Sequence, residues 1–498
     1  MADAHNTPYP GEIIHAQDIT NILNEIKNFK KIKEKPLPIF KNVLRPYQID
    51  AFKWLMTLNK YNLGGILADD MGLGKTLEMI TFISSLNVEK PILIVCPKSL
   101  SFNWEHEFFM WNKDIKVVTI VGDKEDRKNK INNIKNDEKV VFITPYDSLR
   151  NDVDLYQNKE FSLVILDEAQ YIKNSNALKT KAIKSLKADN RFVLTGTPIE
   201  NSLTDLWSIF DFLMPGYLYS FERFRSKFES SIIKGDEESA RRLKAKITPF
   251  ILRRVKGDVL KDLPPKTETL QICGMKHEQR QIYDAYLLSA KKDFAINPNN
   301  KLAALAALMR LRQICVDPSM FLENYEELSE KMEFASQLVS DAIANDHKVL
   351  VFSSFTKSLE HFREILTDNE IPTYYICGET SAKDRLMYCE LFNKTDDVKV
   401  FLISLKAGGT GLNLTGADII IHLDPWWNVA AENQASDRAH RIGQTRPVTV
   451  IKLVTKDSIE EKVIDLQDLK KDLMDNYIGN GDKGANFLSA DDIKFLLD

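Results

Sequence analysis

Residues Asp69 to Thr76 read DDMGLGKT, set between an apolar run that begins at Leu63 (LGGILA) and the stretch LEMITFISSL. A buried strand, a glycine-containing loop and a helix in succession form the context of a phosphate-binding loop. Loop N–H groups and the helix N-terminus together present positive potential to an anion. Gly72 and Gly74 permit a close backbone approach that a Cβ would obstruct. Lys75 becomes the candidate for the β and γ phosphates of ATP, and the Thr76 hydroxyl the candidate for Mg²⁺. The strict motif opens with glycine where this chain has Asp69, and such a loop alone is also compatible with an ordinary strand-to-helix turn.

A second stretch, Leu163 to Gln170 (LVILDEAQ), supports the phosphate-loop reading. Its apolar residues suit a parallel strand buried on both faces, and it ends in adjacent carboxylates. Asp167 fits the acid that holds Mg²⁺ opposite the loop threonine, and Glu168 stands where it could orient or deprotonate an attacking water. Twenty-odd residues before the loop, LRPYQIDAFKWL opens an apolar-periodic helix. A glutamine amide can both donate to and accept from an adenine edge, so Gln48 is a candidate adenine reader, with a surface glutamine as the alternative.

From Leu63 to about Met214 the runs PILIVCP, IKVVTIV, EKVVFIT, SLVILDE and NRFVLTG alternate with helical stretches, the pattern of a parallel sheet flanked by helices. TGTPIEN, from Thr195 to Asn201, follows the last of these strands, where ligands of such sheets bind. Strands then give way to helical patterns, interrupted by ILRRVKGDVLKDLPPK, whose Arg253, Arg254 and Lys256 suit either phosphate contact or a solvated basic run. Alternation resumes at KVLVFSSF, TYYICGE, VKVFLISL and DIIIHLD, implying a second α/β lobe without a phosphate loop of its own, with ATP between the two. In SLKAGGTGLNLT, Gly408, Gly409 and Gly411 suit approach to phosphates of nucleotide or nucleic acid. In ENQASDRAHRIGQ, Gln434, Arg438 and Arg441 fall at helical spacing on one predicted face. Two arginines aimed at a γ-phosphate would neutralise transition-state charge, although arginines on a helix face are commonly solvated.

The chain has 498 residues, 44% of them hydrophobic, enough for sizeable cores. No apolar run approaches a membrane span, and MADAHNTPYPGE lacks the features of a secretory signal. Five scattered cysteines form no CxxC pair, suggesting neither zinc site nor disulfide framework, with the reducing cytoplasm as the default. A net charge of −4 argues against a broadly nucleic-acid-coating surface but is compatible with a local basic cleft.

The ordered set LRPYQ, DDMGLGKT, DEAQ, LTGTPIEN, VFSSF, SLKAGGTGLNL and DPWWN…QASDRAHRIGQ resembles the Swi/Snf-type ATPases of helicase superfamily two, from about Leu44 to Gln444 and on into a C-terminal bracing helix. FILRRVKGDV with LPPK, and LMRLRQIC, strengthen the resemblance. It implies an α/β fold of two RecA-like parallel-sheet lobes with helical insertions. The expected division is a polar lead-in over 1–35 and an ATP-binding lobe over 36–250, with a protrusion near 205–245. A linker over 251–270 follows, then a second lobe over 271–475, with a protrusion near 276–330 and a brace helix near 456–473, and a tail over 476–498. The resemblance further implies Gln48 at adenine, Lys75 and Thr76 at phosphate and Mg²⁺, Asp167 and Glu168 in hydrolysis, and Arg438 and Arg441 as arginine fingers. It also implies a double-stranded DNA track, with Lys98, Ser99, Tyr146, Ser354, Lys406, Gly409 and Trp427 as candidate contacts.

The implied activity is DNA-stimulated ATP hydrolysis coupled to translocation on duplex DNA, by a monomer that shifts or strips DNA-bound protein. The alternatives are strand separation, for which no pin is recognisable, and a nucleotide-gated clamp with little turnover. DEAQYIKN is similar to bacterial members, implying the bacterial cytoplasm and nucleoid, or the nucleus for a eukaryotic source. Three residues depart from the family pattern: Asp70 where Glu is commoner, Gln170 where His is common, and Asp317 where many members have His.

Overall fold

The computed structural model describes residues 16–196, 203–297, 300–322, 325, 327–408, 411–476 and 490–497. Seven strands of the first half form one parallel sheet: β1 (Gly65–Leu67), β2 (Ile92–Cys96), β3 (Val117–Thr119), β4 (Val141–Pro145), β5 (Glu160–Asp167), β6 (Lys187–Leu194) and β7 (Ile251–Leu252). Their order is β3-β4-β2-β5-β6-β1-β7. Six more build a second parallel sheet: β8 (Lys266–Cys273), β9 (Val349–Ser353), β10 (Thr373–Ile376), β11 (Val400–Ser404), β12 (Ile419–His422) and β13 (Val448–Thr455), in the order β10-β11-β9-β12-β13-β8. The chain is thus two parallel-sheet α/β lobes, as expected. The central strands β2, β4, β9 and β11 are buried at every position, because helices cover both faces of a parallel sheet.

Burial sides follow the two-residue period of a strand. Val349 and Val351 of β9 enter one hydrophobic cluster of the second lobe, while Leu350 and Phe352 enter the cluster on the opposite face. The helices between 203 and 250 pack into the first lobe, burying Leu206, Phe210, Phe224, Phe228 and Leu243 in its single core.

Three strands add to those expected. β7 is two residues long and pairs with β1, and β8 is an exposed edge strand whose polar KTETLQ carries little apolar signal. β13 alternates buried Val448 and Val450 with half-buried Thr449 and Ile451. The predicted linker therefore contributes one strand to each sheet. The tail likewise holds a helix, Ala490–Leu497, whose Ile493, Leu496 and Leu497 bury against Tyr283, Leu308 and Leu311 of the 277–316 helical pair and Val463 and Leu466 of the helix Ile459–Asn476. No helix among the described residues is long and apolar enough to cross a membrane.

Candidate active site between the lobes

The helix Lys75–Ser85 starts directly at the phosphate-loop glycines, with Gly72 at φ +84° and Gly74 at φ +87°. Both lie in the left-handed region that a Cβ disfavours. Their surroundings are also tight: a Cβ at Gly74 would stand 2.5 Å from Gln48 Nε2, and one at Gly72 would stand 2.6 Å from Arg441 Cβ. The second contact brings the arginine segment of one lobe onto the phosphate loop of the other.

Lys75 Nζ donates to the carbonyls of Asp69 at 2.6 Å and Asp70 at 3.2 Å. Burial pulls its ammonium below the ordinary lysine value, against the attraction of Glu168, Asp69 and Asp167. Thr76 lies half-buried in the first turn of the same helix. Asp69, the departure from the strict motif, has a structural reason. Its Oδ1 accepts from the Arg254 backbone N–H and from Arg254 Nε, each at 2.9 Å, and its Oδ2 from Arg254 Nη2. Arg254 also reaches Glu78 Oε1 at 2.8 Å and the Tyr47 carbonyl. Arg254 is therefore neither solvated nor turned to phosphate; it is the buried partner of two carboxylates beneath the loop. Asp70 accepts the Lys256 backbone N–H at 3.1 Å.

Gln48 is buried and engaged at both ends. Its Oε1 accepts from Arg45 N–H at 3.0 Å, closing the start of the helix Pro46–Lys60, and its Nε2 donates to the Leu73 carbonyl at 3.0 Å. Tyr47 Oη donates to the same carbonyl at 2.8 Å. The pair ties the helix to the phosphate loop, an arrangement that adenine recognition alone does not require.

β5 delivers Asp167 to the sheet's carboxyl edge, and the chain then turns through Glu168 at φ 57° and ψ 63°, a left-handed conformation uncommon for glutamate. Trp104 Nε1 donates to Asp167 Oδ2 at 2.9 Å, and Gln170 Nε2 donates to Glu168 Oε2 at 2.9 Å. Burial, and then the neighbouring Glu168, hold the Asp167 carboxyl well above the usual carboxylate range. A carboxyl held up in this way gains from a cation, and the oxygens of Asp167 and the Thr76 hydroxyl are donors of the hard type that Mg²⁺ takes.

From the second lobe, the helix Val429–Ser436 carries half-buried Gln434 and then stops. Arg438 and Arg441 lie on the tight turns that follow, so they do not share a helix face with Gln434. The Arg438 carbonyl accepts from Leu414 N–H at 3.0 Å, and Arg441 Nη1 donates to the Leu412 carbonyl at 3.3 Å. The turn is thereby fixed to the residues that follow β11. Burial and the adjacent Arg441 pull the Arg438 guanidinium down to about 10, with Glu168 and Asp167 acting in the opposite direction. The two acids of one lobe thus act on Arg438 of the other.

The DNA candidates divide. Lys98, after β2, and Lys406, after β11, are exposed cations at the carboxyl edges of the two sheets, and Ser99 beside Lys98 is half-buried. Tyr146 is buried, with its hydroxyl donating to the Asp167 carbonyl at 2.9 Å, because the strand end needs a donor there. Ser354 bonds Asp424 and accepts from Arg312 Nη2 at 2.9 Å, while Trp427 lies against Trp426 and the Arg312 guanidinium. These two support a buried Arg312–Asp424 pair. Gly409 and residues 197–201 of TGTPIEN lie outside the described residues. Trp104, Arg254, Lys256 and Arg312 are site or support residues that periodicity does not distinguish from core aromatics and surface cations.

A family profile described as the SNF2-related domain matches residues 47–320, more than half of the chain, and one described as the helicase conserved C-terminal domain matches 330–443. The chain belongs to the SNF2 family. Among SNF2-family and helicase relatives, an uncharacterized ATP-dependent helicase of Mycoplasma genitalium is 38% identical over 92% of this chain and 45% of its own length. The human SWI/SNF-related matrix-associated actin-dependent regulator of chromatin subfamily A member 1 is 34% identical over 91% of this chain and 46% of its own. The chain spans about half the length of these curated relatives. A solved structure titled Sulfolobus solfataricus SWI2/SNF2 ATPase core in complex with dsDNA is 36% identical, covers 91% of this chain and 96% of its own, and superposes with a TM-score of 0.45.

Proposed function

We propose that this SNF2-family chain is a DNA-dependent ATPase that couples hydrolysis to translocation on duplex DNA and thereby displaces bound protein without separating the strands. The carrying observation is the approach of Arg441 to Gly72, which joins a phosphate loop and an acidic pair from one lobe to two arginines from the other. Loop N–H groups and Lys75 would bind the phosphates, Glu168 would orient the attacking water and take its proton, and Arg438 and Arg441 would meet the developing charge. Thr76 and Asp167 would hold Mg²⁺, which supplies charge neutralisation at the phosphates when bound. Because the arginines sit on a different lobe from the loop, hydrolysis competence depends on lobe closure, and opening after hydrolysis gives a step. Lys98 and Lys406, one per lobe and both exposed, suit phosphate contacts on a track that alternates its grip.

Steady-state hydrolysis measured without polymer and with single-stranded DNA, duplex DNA or RNA tests this reading. Duplex DNA is expected to stimulate most, and Lys75→Ala or Glu168→Gln to abolish turnover. Arg441→Ala is expected to keep nucleotide binding while hydrolysis falls by ~10³ or more. Rates indifferent to every polymer, or persistent turnover in Arg441→Ala, would overturn it.

A further inference from the structure

The segment between β7 and β8 touches both halves of the site. On the first lobe, Asp70 N–H donates to the Arg254 carbonyl at 3.0 Å and Lys256 N–H donates to Asp70 Oδ2 at 3.1 Å. On the second, Lys256 Nζ meets Asp437 Oδ1 at 2.6 Å and donates to the His440 carbonyl at 2.8 Å, while His440 Nε2 bonds the Pro264 carbonyl at 2.8 Å. Lys256 Cε lies 3.5 Å from where a Gly72 Cβ would stand. Tyr47 and Leu73 of the phosphate-loop region, Leu260 and Leu263 of this segment and Ile442 of the arginine turn form a separate small apolar cluster. One lysine is thus fastened by its backbone to the phosphate loop and by its ammonium to the turn that carries Arg438 and Arg441.

The geometry points to Lys256 as a positioning residue that sets the arginine turn against the phosphate loop when the lobes close. Its two contacts bracket Arg438, one on each side: the Asp437 carboxylate and the His440 carbonyl. Both side chains of the ion pair are mostly buried, so solvent screens it less than a surface pair. The short leash between the lysine backbone and Asp70 transmits any movement of the loop to the turn. A nucleotide that reorders the loop therefore also reorders the arginines. This inference rests on the hydrolase reading and names the link between its two half-sites.

The test combines kinetics with hydrogen exchange on the full chain. In Lys256→Ala, the kcat for duplex-stimulated hydrolysis is expected to fall by about tenfold or more, with KM for ATP changed less than about threefold, because transition-state contacts are lost and ground-state binding is kept. Lys256→Arg should recover most of the rate. The Lys256→Ala/Asp437→Ala double variant should be no slower than the slower single variant, since both remove one interaction. Amide exchange over residues 437–444 should accelerate in Lys256→Ala, with β9 and β11 unchanged. An unchanged kcat, strictly additive losses, or unaltered exchange of the turn would overturn the assignment. If the parent chain hydrolyses no ATP under any condition, the hydrolase reading fails by itself, and the exchange data still decide whether Lys256 holds the turn.

Discussion

Glu168, the residue proposed to orient the attacking water, holds its place at the expense of its backbone. Left-handed φ is costly for glutamate by roughly 1–2 kcal/mol, and a like charge stands beside it in Asp167. Asparagine tolerates that conformation and carries no charge. Glu168→Asn is therefore expected to raise the melting temperature of the chain while hydrolysis disappears, and calorimetry with a turnover assay checks both. Gly72 is the complementary case, since its Cα faces Arg441. Gly72→Ala should leave the fold within about 2 kcal/mol of the parent but reduce hydrolysis by ~10² or more, because a Cβ would obstruct lobe closure. Much of this scale was legible in the sequence. DDMGLGKT and DEAQ carry their chemistry in residue type and spacing. The partner of Asp69 was not, because Arg254 lies 185 residues away and its charge pattern equally suits solvent.

At the scale of elements, strands were legible where their residues are mostly apolar, the edge strands β3 and β10 included, and illegible where β7 is too short, β8 too polar and β13 interrupted by polar residues. The arginine segment misled for a different reason. Spacings of four and three residues fit a helix, yet the helix ends at Ser436 because the chain must fold back to bond Leu412 and Leu414. Asp317, a departure from the family pattern, stands at another junction, capping Ser319 N–H at 2.9 Å and bonding His361 Nδ1 of the helix Thr356–Asp368. That bond raises the His361 imidazolium above its ordinary value, with Glu364 adding to it and desolvation opposing. A raised folded value means the stabilisation is fully present below about pH 6.5 and is lost as pH rises through the folded value. Melting of the second lobe should accordingly drop as pH rises above about 6.5, and His361→Gln should flatten that dependence. Nearby, Arg312→Ala would strand Asp424 in the interior, at a cost of about 3–5 kcal/mol, measurable by denaturant unfolding.

Across the whole molecule, two lobes and their order could be read from alternation of strand and helix, whereas their closeness at the site could not, since no local pattern encodes a contact between residues 72 and 441. The same holds for the last helix. Removing residues 477–498 should lower the unfolding transition of the second lobe and leave that of the first unmoved, as two-transition calorimetry would resolve, because among the described residues Ile493, Leu496 and Leu497 share a cluster with second-lobe residues.

The pairing of β1 with β7 also dictates a sequence of events on the ribosome. Ile66 finds its neighbour Ile251 only after the helices between 203 and 250 have been made, so the first sheet acquires its final strand well after its other six. The second sheet waits longer, for β8 takes its partner from β13, and Lys266 meets Val448 only after the strands and helices between them have been made. The nucleotide-binding lobe therefore matures as a folded unit while its counterpart is still a growing chain, and the exposed edge of β8 passes through that interval unpaired.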